Sequence, residues 1–191
     1  MTTKVLAFAG SLRKDSYNKQ LVAAAAVGAR AAGAEVTILD LASIPMPLYD
    51  GDVEAKDGVH PNAQKLKKLM REHHGFLIAS PEYNSSISGV LKNAIDWASR
   101  PEAGEPSLVA FAGKVAGLMG ASPGMLGGLR GLVHLRAILG NIQVLVIPEQ
   151  FALSQADQAF DSSGAMKDEK KRHTVEAIGR RVVQVAAKLN S

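Results

Sequence analysis

The sequence contains no cysteine among its 191 residues. That excludes disulfides, thiolate-held zinc or iron–sulfur centres and cysteine nucleophiles, and it fits a reducing compartment. Aromatic residues are scarce at 5%, too few for the stacking platforms on which single-stranded nucleic acids are held. The net charge is only +4, and the densest basic run, residues 167–172, carries two acids inside it. Such a run reads as a solvated helix face, so no nucleic-acid partner is expected.

Long apolar runs are missing too. The alanine-rich stretch at 21–34 is interrupted by Arg30 and is too short to span a bilayer. The opening Met1-Thr2-Thr3-Lys4 leads into a short apolar strand without the longer apolar region and cleavage site of a signal peptide. A soluble, cytoplasmic protein with no membrane partner is the expectation. Neither G-x-x-x-x-G-K-[ST] nor G-x-G-x-x-G occurs, which weighs against ATP and against the dinucleotide fingerprint. The adjacent His73 and His74 lack carboxylates at ligand spacing, so no metal is expected there. Closing a helix, they read as charge complements to its C-terminal end.

What is present is a regular alternation. Apolar stretches of strand length fall at 4–9, 35–39, 75–79, 115–119 and 142–147, and helical patterns at 16–32, 62–74, 87–98, 125–139 and 168–189. Residues 41–61 hold three prolines and read as a long loop. Near-continuous apolar strands alternating with amphipathic helices predict a parallel sheet covered on both faces. The fold class is therefore α/β: a flavodoxin-like, doubly wound, five-stranded parallel sheet in the order 2-1-3-4-5. The length suits one domain over residues 1–191.

Ligands of such sheets sit beyond the carboxyl ends of the strands, near the reversal of strand order. Three loops there carry polar or glycine-rich text. The first, "GSLRKDSYN" from Gly10 to Asn18, precedes a helix whose N-terminal N–H groups would point into the loop. Ser11, Ser16, Asn18 and the Arg13 fork suit a phosphate, although Ser16 as a simple helix cap with solvated cations is the alternative. The second, 80–86, is stiffened by Pro81 and presents Tyr83. That arrangement serves a flat heterocycle or only a capped turn at Ser88. The third, 120–128, has glycines that would let backbone approach a ligand. The loops follow strands one, three and four, neighbours in the proposed order, so they would form one crevice.

Together these stretches resemble the NAD(P)H-dependent FMN reductase family, the flavodoxin-like group that includes quinone, chromate and azo reductases. The matching text is "GSLRKDSYN", "PLYD" (47–50), "PEYNSSISGVLKNAIDWASR" (81–100) and "GGLRGLVHLRAIL" (127–139). The resemblance implies FMN as cofactor and NADPH or NADH as co-substrate. The reaction would be ping-pong hydride transfer through the flavin to a small-molecule quinone, flavin, azo or metal-oxyanion acceptor. It implies that Ser11, Arg13, Ser16 and Asn18 hold the FMN phosphate. Pro81, Glu82, Tyr83 and Asn84 would line the isoalloxazine, mainly through backbone groups, and Ser122 and Gly124 would close its other side. No side-chain acid or base is required, so no catalytic residue is assigned. Family members form homodimers or homotetramers with FMN at subunit interfaces, and Arg130 and Glu149 match positions that join Tyr83 in an interfacial network in some relatives. Many relatives carry an aromatic at the position of Ser85, and serine there would leave the ring pocket wider or wetter. A non-enzymatic flavodoxin-type electron carrier is the alternative of the same fold, though such carriers are usually acidic.

Overall fold

The computed structural model describes residues 2–190. In chain order the elements are β1 (Lys4–Ala9), α1 (Tyr17–Ala31), β2 (Glu35–Leu39), α2 (Gly51–Asp57), α3 (Pro61–Glu72), β3 (Gly75–Ala79), the short β4 (Glu82–Tyr83) and β5 (Ser86–Ile87), α4 (Gly89–Ala98), β6 (Val115–Ala121), α5 (Leu129–Asn141), β7 (Leu145–Leu153), α6 (Ala156–Ala159) and α7 (Glu169–Leu189). The main sheet is parallel with the order β2-β1-β3-β6-β7. Counting its five strands alone, that is the expected 2-1-3-4-5, and the order reverses between β1 and β3.

Successive side chains on a strand point to opposite faces, and the sheet uses this to build two cores. Val5, Ala7, Ala9, Leu77, Ala79, Val115 and Met119 meet α1 and α7 on one face. Leu6, Phe8, Phe76, Ile78, Ala116 and Leu118 meet α3, α4 and α5 on the other. Both faces are thus covered, which is why the strands read as unbroken apolar runs. Each fully buried Leu, Ile or Phe contributes about 1.5–3 kcal/mol by leaving water.

Several elements depart from the expected boundaries, among them β6, which runs to Ala121, and α6, which was not expected; four departures have an evident cause. The segment 41–61 is not a plain loop: it holds a 3₁₀ turn at Leu41–Ser43, capped by the Asp40 side chain, and α2, capped by Asp50. No residue of α2 is buried, so apolar periodicity had nothing to report there. Trp97, fully buried, fastens this segment through its Nε1, which donates to the Pro47 carbonyl at 2.8 Å.

Helix α5 starts at Leu129 rather than 125 because Gly127 and Gly128 have φ of +60° and +92°. A Cβ on Gly127 would lie within 2.7 Å of the Ala152–Ser154 backbone. The last strand runs over Leu145–Leu153 rather than 142–147. The apolar Ile142 closes α5, and Gln143 turns with φ +68°. Further along, β7 tolerates Pro148 because its pairing with β6 is interrupted between Ala116 and Leu118 and its other edge is unpaired. Finally, 80–87 contains the antiparallel β4–β5 pair, absent from the expected elements.

At the C-terminal end of α3 the two histidines divide the work. His73 is buried, its Nδ1 donating to the Leu69 carbonyl at 2.6 Å, with Thr37 Oγ1 2.9 Å from its Nε2. The His74 Nδ1 instead accepts the Lys4 backbone N–H at 2.9 Å. His74 therefore does not supply the expected positive charge, and the cation on the α3 carbonyls is Lys114, whose Nζ donates to Arg71 and His73. Burial, then Lys114, His73 and Lys4, push the His74 pKa below its ordinary 6.5. The native state thus binds fewer protons than the unfolded chain, so this contribution to stability is lost as pH falls below about 6.5. His74→Asn keeps an acceptor near Nδ1 but cannot titrate. Its melting temperature between pH 7 and pH 5 should fall less than that of the unaltered protein, and an identical fall in both would remove His74 from the account.

Candidate functional site

The crevice lies where strand order reverses, beyond the ends of β1, β3 and β6. The ladder persists for one residue past each strand: Gly10 N–H donates to Ala79 O and Ser80 N–H to Met119 O, both at 2.9 Å. The first loop then turns outward. Ser88 holds it from below. Its Oγ donates to Gly10 O at 2.6 Å and accepts the Leu91 N–H at 3.1 Å, capping α4 at the same time. Gly10 must be glycine, because a Cβ there would sit 2.8 Å from that of Leu91.

Ser16 occupies the N-cap position of α1 with extended backbone, yet no side chain caps that helix and no acid stands in its first turn. The caps of α2, α3, α4 and α7 all carry side-chain hydrogen bonds. Ser11 and Ser16 are buried at 7% and 4% exposure, while Arg13 is exposed and its guanidinium has no partner among the described residues. Ser11 Oγ accepts the Arg13 backbone N–H at 3.3 Å, which leaves its hydroxyl proton to donate. With the Ser16 hydroxyl, the unpaired guanidinium and the uncapped helix N-terminus, these donors fit an anion with several oxygens. This donor set is the test that an FMN phosphate has to pass, and the residues present meet it. Asn18 differs from the other three. Its carboxamide is taken up by the Ala121 backbone, with Nδ2 donating to the carbonyl and Oδ1 accepting the N–H, each at 2.9 Å.

The second loop is a hairpin. Glu82 pairs with Ile87 and Tyr83 with Ser86. Asn84 and Ser85 make the turn with φ of +50° and +64°, the geometry of a type I′ connection, which asparagine tolerates well. Tyr83 is 55% exposed. The Glu82 carboxylate, by contrast, faces α5: Arg130 Nε donates to Oε1 at 3.0 Å and the Gly131 N–H to Oε2 at 3.1 Å. Glu82 thereby caps α5 from a different loop. In the third loop, Ser122 Oγ accepts the Gly124 N–H at 3.1 Å.

Eight of the ten residues expected in the site, namely Ser11, Arg13, Ser16, Asn18, Pro81, Glu82, Tyr83 and Ser122, line one cavity of about 150 Å³. Asn84 and Gly124 line a second, of about 420 Å³, which shares Glu82 and Ser122 with the first. Together the two fall in the range of about 300–1,000 Å³ common for small-molecule clefts. Tyr17, Ala121 and Pro123 also line the first, and Met125, Leu126 and Arg130 the second. These were not singled out as ring contacts in the sequence, where nothing separates them from ordinary turn and helix residues. Within one chain Arg130 and Glu149 are not brought together, since Arg130 holds Glu82 and Glu149 pairs with Arg181. Among the described residues no group of three or more His, Asp or Glu gathers at ligand distance, and no helix is long and apolar enough to cross a membrane.

A family model described as NADPH-dependent FMN reductase matches residues 3–158. The chain belongs to that family. An NAD(P)H-dependent FMN reductase of Pseudomonas aeruginosa is 40% identical over 174 residues, covering 91% of this chain and 89% of the relative. An NAD(P)H:quinone oxidoreductase of Solanum tuberosum is 38% identical over 191 residues, covering 97% and 94%. Among solved structures, a flavoenzyme NAD(P)H:(acceptor) oxidoreductase from Paracoccus denitrificans superposes with a TM-score of 0.81 at 28% identity, covering 98% of both chains. The family match spans residues 3–158, so the three loops of the crevice all fall within it.

Proposed function

We propose that this FMN reductase family member is an NAD(P)H-dependent oxidoreductase, built as a single FMN-binding domain, that passes electrons to a small-molecule acceptor of the quinone type. When bound, FMN would supply the hydride-transfer chemistry between NAD(P)H and the acceptor. The protein's part is to hold and orient. Ser11, Arg13 and Ser16, with the free N–H groups at the start of α1, grip the phosphate. The backbone of Pro81, Glu82, Tyr83 and Asn84 lines one side of the ring, and Ser122 and Gly124 the other. Flavin, azo and metal-oxyanion compounds would be reduced by the same accessible flavin.

The observation that carries this reading is the uncapped start of α1 beside an unpaired Arg13, at the head of a crevice built from all three loops. Association into a homodimer or homotetramer belongs to the same reading. Tyr83, Met125 and Leu126 are 55%, 78% and 49% exposed around the ring side of the crevice, and a second copy would cover that apolar face. So does a cytoplasmic location, since a chain without cysteine has no disulfide to lose under reducing conditions.

The test is direct. After soaking in excess FMN and desalting, the protein should remain yellow, bleach anaerobically with NADPH or NADH, and sustain NAD(P)H oxidation when a quinone is added. Bleaching without turnover would mark an electron carrier instead. A colourless protein with an unmoved melting temperature would end the flavin reading.

A further inference from the structure

The position of Asn18 sets it apart from the phosphate-binding residues beside it. It is the second residue of α1, 3% exposed, and both of its carboxamide bonds run to one residue 103 positions away. Along β6 the backbone groups alternate between its two neighbours. Met119 O receives Ser80 N–H from the β3 side, whereas Ser122 N–H donates to Leu153 on the β7 side. Ala121, lying between them, directs its N–H and C=O to the β3 side. There β3 has already ended: its pairing with β6 stops at Ala79 and Met119, the Ser80 N–H bond to Met119 is the last of the ladder, and no residue of the 80–83 turn bonds Ala121. Ala121 is buried, so both groups would be orphans at a cost. The Asn18 carboxamide, which has a donor and an acceptor side by side as a peptide does, stands in for the missing strand.

The consequence is mechanical. Asn18 ties the first turn of α1, on the phosphate side of the crevice, to the turn that continues from Ala121 into Ser122, on the ring side. We propose that Asn18 is a positioning residue which fixes the third loop against the ring, acting through the Ala121 backbone, and not a phosphate ligand. The proposal rests on the flavin reading above.

Riboflavin, which has the ring and lacks the phosphate, separates the two roles. With Asn18→Ala, dissociation constants for FMN and riboflavin should both rise by the same factor, about 5- to 30-fold, as expected when a loop no longer held by the protein must be ordered on binding. The visible circular dichroism of the saturated flavin should change, because the ring's surroundings have moved. Asn18→Ser, which keeps a small polar residue near the helix start, serves if the alanine variant does not fold. Arg13→Ala is the contrasting variant: it should weaken FMN alone and leave the ring's dichroism unchanged. A loss confined to FMN in the Asn18 variants would make Asn18 a phosphate ligand and overturn the proposal. Unchanged affinities and dichroism with a lowered melting temperature would reduce it to a staple of the fold. Unaltered protein that binds neither flavin would instead defeat the flavin reading itself.

Discussion

Arg13→Ala should weaken FMN binding by about 10- to 150-fold, the loss expected when one charge-assisted partner worth roughly 1.5–3 kcal/mol is removed. The reasoning starts from what Arg13 lacks. It is exposed, and among the described residues no carboxylate engages its guanidinium, so the free protein contains no internal pair that the ligand must first break. A phosphate monoester carries a charge of about −1.5 to −2 near neutral pH, and the guanidinium fork can meet two of its oxygens. Arg13→Lys should recover part of the loss, since a lysine restores charge but not the fork. Titration of flavin fluorescence measures both. A dissociation constant that does not move in Arg13→Ala removes the residue from the phosphate site.

Gly28→Ala should destabilise the protein by about 2 kcal/mol or more, although alanine is the better helix former by about 0.8–1 kcal/mol. Gly28 lies inside α1 and Gly179 inside α7, where the two helices press together. A Cβ on Gly28 would run into the Glu176 carbonyl, and one on Gly179 into the Ala25 carbonyl. Both obstacles are backbone, so no rotamer change relieves them and the helices must separate. For a chain of this size that corresponds to a fall in melting temperature of about 4–8 °C. Gly140→Ala is the control. It sits in α5 with no atom within 4 Å of its would-be Cβ, so it should be neutral or stabilising by up to about 1 kcal/mol. Equal effects at the two positions would show that propensity rather than helix approach governs this pair.

The two glycines also show how differently the chain exposes its information. In the sequence, Gly28 is one small residue in an alanine-rich helix and Gly140 is another near a helix end. Only the partner across the interface makes one of them indispensable. The hairpin at 82–87 was hidden for a related reason. Its strands are two residues each, and its turn uses Asn84-Ser85 rather than a glycine pair, so neither alternation nor turn composition announced it. Glu82 is a third example. Its carboxylate is committed to Arg130 and Gly131, 48 and 49 positions further along the chain, a distance no local pattern spans.

By itself the sequence determined the alternation of strands and helices, the parallel five-stranded sheet with its order, the absence of thiol chemistry, and three loops at one end whose residue types suit a phosphate and a flat ring. These are consequences of local pattern: apolar periodicity, cap residues and loop composition act within a few residues of where they are read. The tertiary structure decided where β7 begins, that the His74 Nδ1 accepts a hydrogen bond instead of carrying positive charge, and that Asn18 spends its carboxamide on Ala121 while Ser16 and the Arg13 guanidinium remain free. The first three outcomes depend on which backbone groups find a partner after folding, and the chain reveals that only once β1, β3, β6 and β7 lie side by side.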